Sequence, residues 1–447
     1  MHKRTLLKNI VIVNEGRSFK GALVIDDDRI DEIIEGDIEN KAIPTDEIVD
    51  GNGAYLLPGI IDSHVHFREP GLVHKADMRS ESRAAAAGGV TTFLDMPNTV
   101  PQTITQAAFD EKLRLAAEKS CVNYGFFFGA TFDNADTLKS LNRRKVCGIK
   151  LFMGSSTGGM LVDKEETLTQ IFESAKLPIM AHCEDSAIIE HNVKQIKTEL
   201  GAGEIDVKYH SQIRSEEACL ASTQLAVKLA KESGARLHVA HISTAKELEL
   251  FAEAGTNITA EVCVPHLLFT DADYSKLGAR IKCNPAVKTK EDRTALRAAL
   301  SSDLIYTIGT DHAPHLLREK QGGALTAVSG MPMIQFSLPA MLNLVDEGVL
   351  TIERMVELMC HHPADLFSIE NRGYIREGYK ADLVLVAPQT PWILTPNKIE
   401  SKCNWSPLEG KLFTWQVQKT YCNGFLIYNN GTITNDGFRG QAVTFCR

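Results

Sequence analysis

No apolar run approaches the roughly 18 residues that a membrane-crossing helix needs, so the sequence offers no spanning segment. The ten cysteines are scattered singly with no C-x-x-C pair, which leaves neither a zinc ribbon nor a dithiol redox motif. Basic charge is in deficit, with Lys+Arg at 48 against Asp+Glu at 57 and a formal net charge of −9. That balance excludes bulk affinity for nucleic-acid backbones and for anionic membrane surfaces. Gly (32) and Pro (16) are not in excess, so collagen-like and low-complexity classes fail as well. No G-x-G-x-x-G follows an early strand, as a dinucleotide-binding fold would require. The opening MHKRTLLKNIVIV carries the charge of a leader, but Lys8 and Asn9 interrupt its apolar stretch and no small-residue cleavage pattern follows. It is expected to be a first β-strand. Unpaired cysteines inside apolar runs fit a reduced, cytoplasmic protein.

What is present is a repeated unit. After short strands in residues 1–52 come eight apolar runs of strand length: GIIDSHVHF, TTFLDM, YGFFFGAT, GIKLFMG, PIMAHCE, RLHVAHIS, ITAEVCV and IYTIGTDH. Helix formers with helical periodicity lie between several of them, as in SEEACLASTQLAVKLAKE and EDRTALRAALSS. Near-continuous apolar strands alternating with helices imply a parallel sheet covered on both faces. Eight such units predict an α/β fold built on a (β/α)8 TIM-type barrel, with an open doubly wound sheet as the alternative. Beyond residue 370 the pattern returns to strands broken by Gly, Asn and Asp. The expected organisation is a barrel over 53–370 and a small β-sandwich domain built from both termini, 1–52 and 371–447.

In such a barrel, function sits at the C-terminal ends of the strands. The first run ends in His64 and His66, whose side chains project to the same side of a strand and suit two ligands on one ion. H-x-H alone is weak. The fourth run carries Lys150, the fifth ends in His182, the sixth in His241 and the eighth in Asp311. Each alone reads as a satisfied core histidine or a salt bridge. Together with Lys150 they stand at the same end of five strands, and four imidazoles and a carboxylate match the ligand chemistry of zinc or a similar divalent ion. An ammonium cannot ligate a metal, so Lys150 fits such a centre only as a modified amine. Carbamylation by CO₂ would make it a bridging carboxylate; a metal-free pair with Asp311 is the other reading.

The residues DSHVHFREPG (62–71), SRAAAAGGVTTFLDMPNT (82–99), AHCED (181–185), HIST (241–244), KCNPAVK (282–288) and GTDHAPH (309–315) resemble dihydroorotases of the amidohydrolase superfamily. GYIREGYKADLVLV and SPLEG extend the resemblance across nearly the whole chain. It implies a zinc-dependent enzyme of pyrimidine (UMP) biosynthesis that reversibly hydrolyses the cyclic amide of L-dihydroorotate to N-carbamoyl-L-aspartate. His64 and His66 would hold one metal, and His182 and His241 the second. Asp311 would ligate the first and move the proton. One subgroup bridges its metals with an aspartate after strand four. Here residues 154–159 contain no acid, so the chain looks like the carboxylated-lysine type, with Lys150 as bridge. Arg68 and Asn98 would bind the substrate carboxylate, Asn284 and His315 would line its pocket, and Gly330 would offer backbone groups to the ring. The resemblance also favours a homodimer. Allantoinases and dihydropyrimidinases share the ligands but resemble neither the F-R-E-P-G run nor its cation, which a carboxylate-bearing ring requires. A non-catalytic scaffold would have lost metal ligands, and here His64, His66, Lys150, His182, His241 and Asp311 all remain. The polar stretch HLLREKQGG after Asp311 has the composition of a lid.

Overall fold

The computed structural model describes residues 3–38, 43–154, 159–201, 203–434 and 437–447. Eight parallel strands form a ring: β1 (Ile60–Val65), β2 (Val90–Asp95), β3 (Asn123–Phe126, resumed at Phe128–Gly129), β4 (Ile149–Phe152), β5 (Ile179–His182), β6 (Leu237–Val239), β7 (Ile258–Cys263) and β8 (Thr307–Gly309). β3 changes partner within its length. Asn123–Phe126 pairs with β2, the Phe127 N–H still donates to Asp95, and Phe128–Gly129 pairs with β4. The ring closes where Val65 pairs in parallel with His312, just beyond β8. The barrel is therefore closed, as the count of eight apolar runs predicts. Its strands are buried throughout, with all six residues of β1 and of β2 inaccessible, because helices cover the outer face.

The surrounding helices begin where their sequences supply caps. Asp77 and Ser80 form a capping box at Met78–Ala87, and Thr289 and Asp292 form another at Lys290–Ala299. Ser215 caps Glu216–Ser233, which ends at Gly234 in the left-handed region. Among the described residues no helix is long and apolar enough to cross a membrane.

Strands from the two chain ends join in one nine-stranded sheet. Tyr55–Pro58 is the link, pairing in parallel with Arg4–Asn14 and antiparallel with Leu383–Ile393. Alternate side chains serve its two faces: Leu7 and Leu23 belong to one apolar cluster, Leu6 and Val24 to another.

Candidate active site

The C-terminal ends of the barrel strands converge on a cavity of about 380 Å³. His64, His66, Arg68, Asn98, Lys150, His182, His241, Asn284, Asp311, His315 and Gly330 all line it, so every residue singled out from the sequence reaches one site. Three of them, Arg68 (φ 67°), His241 (φ 39°) and Asp311 (φ 48°), hold left-handed backbone without being glycine. Such conformations cost on the order of 1–3 kcal/mol each and persist only where the surroundings enforce them, typically at functional sites.

The imidazoles are oriented from behind. His64 Nδ1 lies 2.7 Å from Glu261 Oε1, which leaves Nε2 to face Asp311 at 3.5 Å. His66 Nδ1 meets Asn98 Oδ1 at 2.8 Å, and its Nε2 is 3.1 Å from Asp311. His182 is turned the other way. Its Nε2 meets Glu184 at 2.8 Å, and its Nδ1 faces His241 Nε2 at 2.9 Å. Glu184 is in turn paired with Arg214. This is the arrangement in which a carboxylate or amide fixes the tautomer of a ligating histidine. Burial lowers the pKa of His66 to about 4, and it also lowers His182 and His241, so these rings are neutral with lone pairs available. Burial alone would keep Asp311 protonated, but His64, His66 and Lys150 hold its carboxyl well below the ordinary range.

Lys150 is 1% exposed, and its Nζ has no hydrogen-bond partner. It is therefore not locked into a pair with Asp311. Burial lowers its pKa to about 8, against the pull of Glu261 and Asp311. Residues 155–158, in the acid-free stretch after β4, lie outside the described residues.

The donor chemistry fits divalent metal. One ligand atom each from His64, His66 and Asp311 lies within 4.8 Å of the others. His182 and His241 face one another alongside, and the unpartnered buried amine of Lys150 acts electrostatically on His182, His241 and Asp311. A second grouping of His64, Glu261 and Cys263 also satisfies the distance. There, however, Glu261 is already engaged by His64, and burial keeps the Cys263 thiol protonated, so that grouping supports His64 from behind.

Sequence reasoning missed the supporting residues. Glu261 is fully buried on β7 and also accepts from the His241 N–H at 3.3 Å and the Ser63 hydroxyl at 3.3 Å. Its signal was a lone carboxylate inside the apolar run ITAEVCV. Gly309 on β8 makes room for it: a Cβ there would lie 2.5 Å from Glu261 Oε2. Asp62, the first polar residue of the H-x-H segment, accepts from the Thr310 hydroxyl at 2.6 Å and ties β1 to β8.

On the opposite wall Arg68 is 7% exposed and donates Nε to Pro314 O at 3.0 Å. It does not pair with its neighbour Glu69, which accepts from the Met78 N–H and from Lys119. Asn98 contacts His66 as described, and Asn284 Oδ1 lies 3.1 Å from His210 Nε2. Gly330 lines the cavity, with its N–H donated to Lys282 O at 2.8 Å and its carbonyl accepting from Lys320 at 2.7 Å. The Lys320 ammonium also reaches Lys282 O and Val328 O, pinning the segment after Asp311 to this wall.

Comparison with known proteins agrees with this architecture. Residues 55–427 match the profile described as the amidohydrolase family. The dihydroorotase of Halobacterium salinarum is 34% identical over 422 residues, covering 94% of this chain and 95% of that protein. An allantoinase of Bacillus velezensis is 29% identical over 445 residues, 97% of this chain and 96% of that one. The solved L-hydantoinase (dihydropyrimidinase) of Arthrobacter aurescens superposes with a TM-score of 0.94 at 28% identity, covering 99% of this chain and 100% of that one.

Proposed function

The chain belongs to the amidohydrolase family, and from that premise we propose that it is a dihydroorotase, opening the ring of L-dihydroorotate to N-carbamoyl-L-aspartate and, in the biosynthetic direction, closing it. The observation that carries this reading is Arg68. Its guanidinium is buried at the cavity wall with no carboxylate in ion-pair contact among the described residues. Asp311, Asp95, Glu319 and Glu81 act on it only from a distance, and a buried guanidinium with no carboxylate in direct contact is costly unless a ligand supplies one. A planar carboxylate matches its fork of donors. The curated dihydroorotase relatives support the same reading.

Two divalent ions, with zinc as the expected metal, would be held by His64, His66 and Asp311 on one side and by His182 and His241 on the other, with carboxylated Lys150 between them. When bound, such ions supply a water acidic enough to be deprotonated near neutral pH and a Lewis acid for the amide carbonyl. The protein's residues do the rest. Asp311, ionised in its resting state, accepts the proton of the attacking water on a carboxylate oxygen. It then delivers that proton to the departing ring nitrogen. Arg68 and His315 fix the substrate carboxylate so that the ring carbonyl lies over the ligand set. Asn98, which lines the same cavity and orients His66 through Oδ1, joins Arg68 in binding that carboxylate. Lys150 can be carboxylated only as the free amine. With a pKa of about 8, roughly a tenth of it is neutral at pH 7, far more than of an ordinary lysine.

Allantoinase or hydantoinase activity is the second reading, favoured by the backbone match to the hydantoinase. Those rings carry no carboxylate to offer Arg68. The test is Arg68→Met. The variant is expected to lose at least about a hundredfold in kcat/KM on dihydroorotate, the value of a buried charge-assisted pair. A loss under threefold would refute the proposal.

A further inference from the structure

One imidazole in the cavity is contacted by too many donors. His315 Nε2 lies 2.9 Å from Arg68 Nη2, and His315 Nδ1 lies 3.0 Å from Lys75 Nζ. Arginine and charged lysine donate and cannot accept, whereas a neutral imidazole has one acceptor nitrogen and one N–H. Protonating the ring removes even that acceptor. Lys75 is paired with Glu319, whose Oε1 is 3.0 Å away. Burial, with Arg68 and Lys75 beside it, also holds the His315 imidazole far below its usual range, so the ring stays neutral. One of these two contacts therefore sets a donor against a donor.

An anion relieves this conflict. A carboxylate entering beside His315 accepts from the ring N–H and from whichever cation the ring cannot serve. Lys75 lines the same cavity as Arg68, and its side chain is 12% exposed, so it reaches the ligand without leaving its place.

We infer that Lys75 is a third donor to the substrate carboxylate, alongside Arg68 and His315, and that Glu319 is the counter-charge that holds it when substrate is absent. This rests on the dihydroorotase reading and extends it to a residue that sets specificity for an anionic ring. Glu319 then competes with substrate for one ammonium. Removing the lysine and removing the glutamate must therefore move substrate binding in opposite directions.

The experiment is steady-state kinetics on dihydroorotate with the metal-loaded wild type, Lys75→Met, Lys75→Arg and Glu319→Gln. Lys75→Met is expected to raise KM about tenfold or more, as loss of a charge-assisted contact does, with kcat within threefold. Lys75→Arg should recover most of the loss. Glu319→Gln, which keeps an oxygen for the Leu316 N–H, should lower KM. A Lys75→Met KM within twofold of wild type overturns the inference. So does a rise in KM for both Lys75→Met and Glu319→Gln, which would mark the pair as a structural brace. Wild-type enzyme inert toward dihydroorotate overturns the dihydroorotase reading itself, and this inference with it, before any variant is made.

Discussion

Glu261→Gln isolates the contribution of a residue that touches neither substrate nor the reacting atoms. The substitution keeps shape and keeps an amide oxygen for the His64 Nδ1–H at 2.7 Å and the His241 N–H at 3.3 Å. It removes the negative charge. That charge polarises His64 and stands beside the buried Lys150, whose amine it helps to hold protonated. Loss of a carboxylate behind a metal-ligating histidine typically costs 10- to 100-fold in metal affinity, or roughly 1.4–2.8 kcal/mol. Alanine at the same position would be worse. It would strand three buried donors, each costing about 1–3 kcal/mol, and leave a void. The assay is competition for Zn²⁺ between apo-protein and a chelating indicator, wild type against Glu261→Gln, with thermal melting of both apo forms as a check on folding. The expected result is weaker metal binding by at least tenfold with apo stability little changed. Equal affinities within twofold would show that His64 needs no anionic partner, and the orientation argument would fail.

Asp311→Asn, with metal content verified, should cut kcat by about 10²–10⁴, the usual worth of general acid–base catalysis; a fall of less than tenfold would remove the proton-transfer role. Gly309→Ala would force a Cβ to within 2.5 Å of Glu261 Oε2, so a lower melting temperature and impaired metal retention are expected, and an unchanged melting curve would contradict the close packing. Only the neutral amine of Lys150 captures CO₂, and its pKa is lowered to about 8. At a constant concentration of dissolved CO₂, carboxylation of the decarboxylated apo-protein should therefore speed up between pH 7 and 8 and level off above that, followed by mass spectrometry of the intact protein. A rate still climbing in proportion to hydroxide past pH 9 would mean an unshifted lysine.

The barrel and the convergence of His64, His66, His182, His241 and Asp311 on one cavity were readable because both follow short-range rules. Strand runs of the right length repeat along the chain, and the residue that ends each run is delivered to the same face. His64 and His66 share a side because strand side chains alternate. The supporting contacts follow no such rule. Glu261 meets His64 across 197 positions of sequence, and Lys75 meets His315 across 240, so only the closed ring brings them together. Motif proximity also misleads. His312 sits beside Asp311 in GTDHAPH, yet its ring turns away to Glu81 at 2.8 Å, anchoring the segment after β8 to the helix Met78–Ala87. His238 lies on a barrel strand like the cavity histidines, but it is spent inside the core on the hydroxyls of Thr259 and Thr307. Residue type and spacing place a side chain on a face; its hydrogen-bond partner decides whether it is structural or available.

The central claim is that this family member's cavity is built for a ring bearing a carboxylate. The most direct measurement is kcat/KM of the metal-loaded wild-type protein on L-dihydroorotate, dihydrouracil and allantoin under one set of conditions. The account predicts turnover of dihydroorotate at least about a hundredfold above the two neutral rings, the margin expected when a buried guanidinium is left unpaired. Comparable or faster turnover of either neutral ring would contradict it.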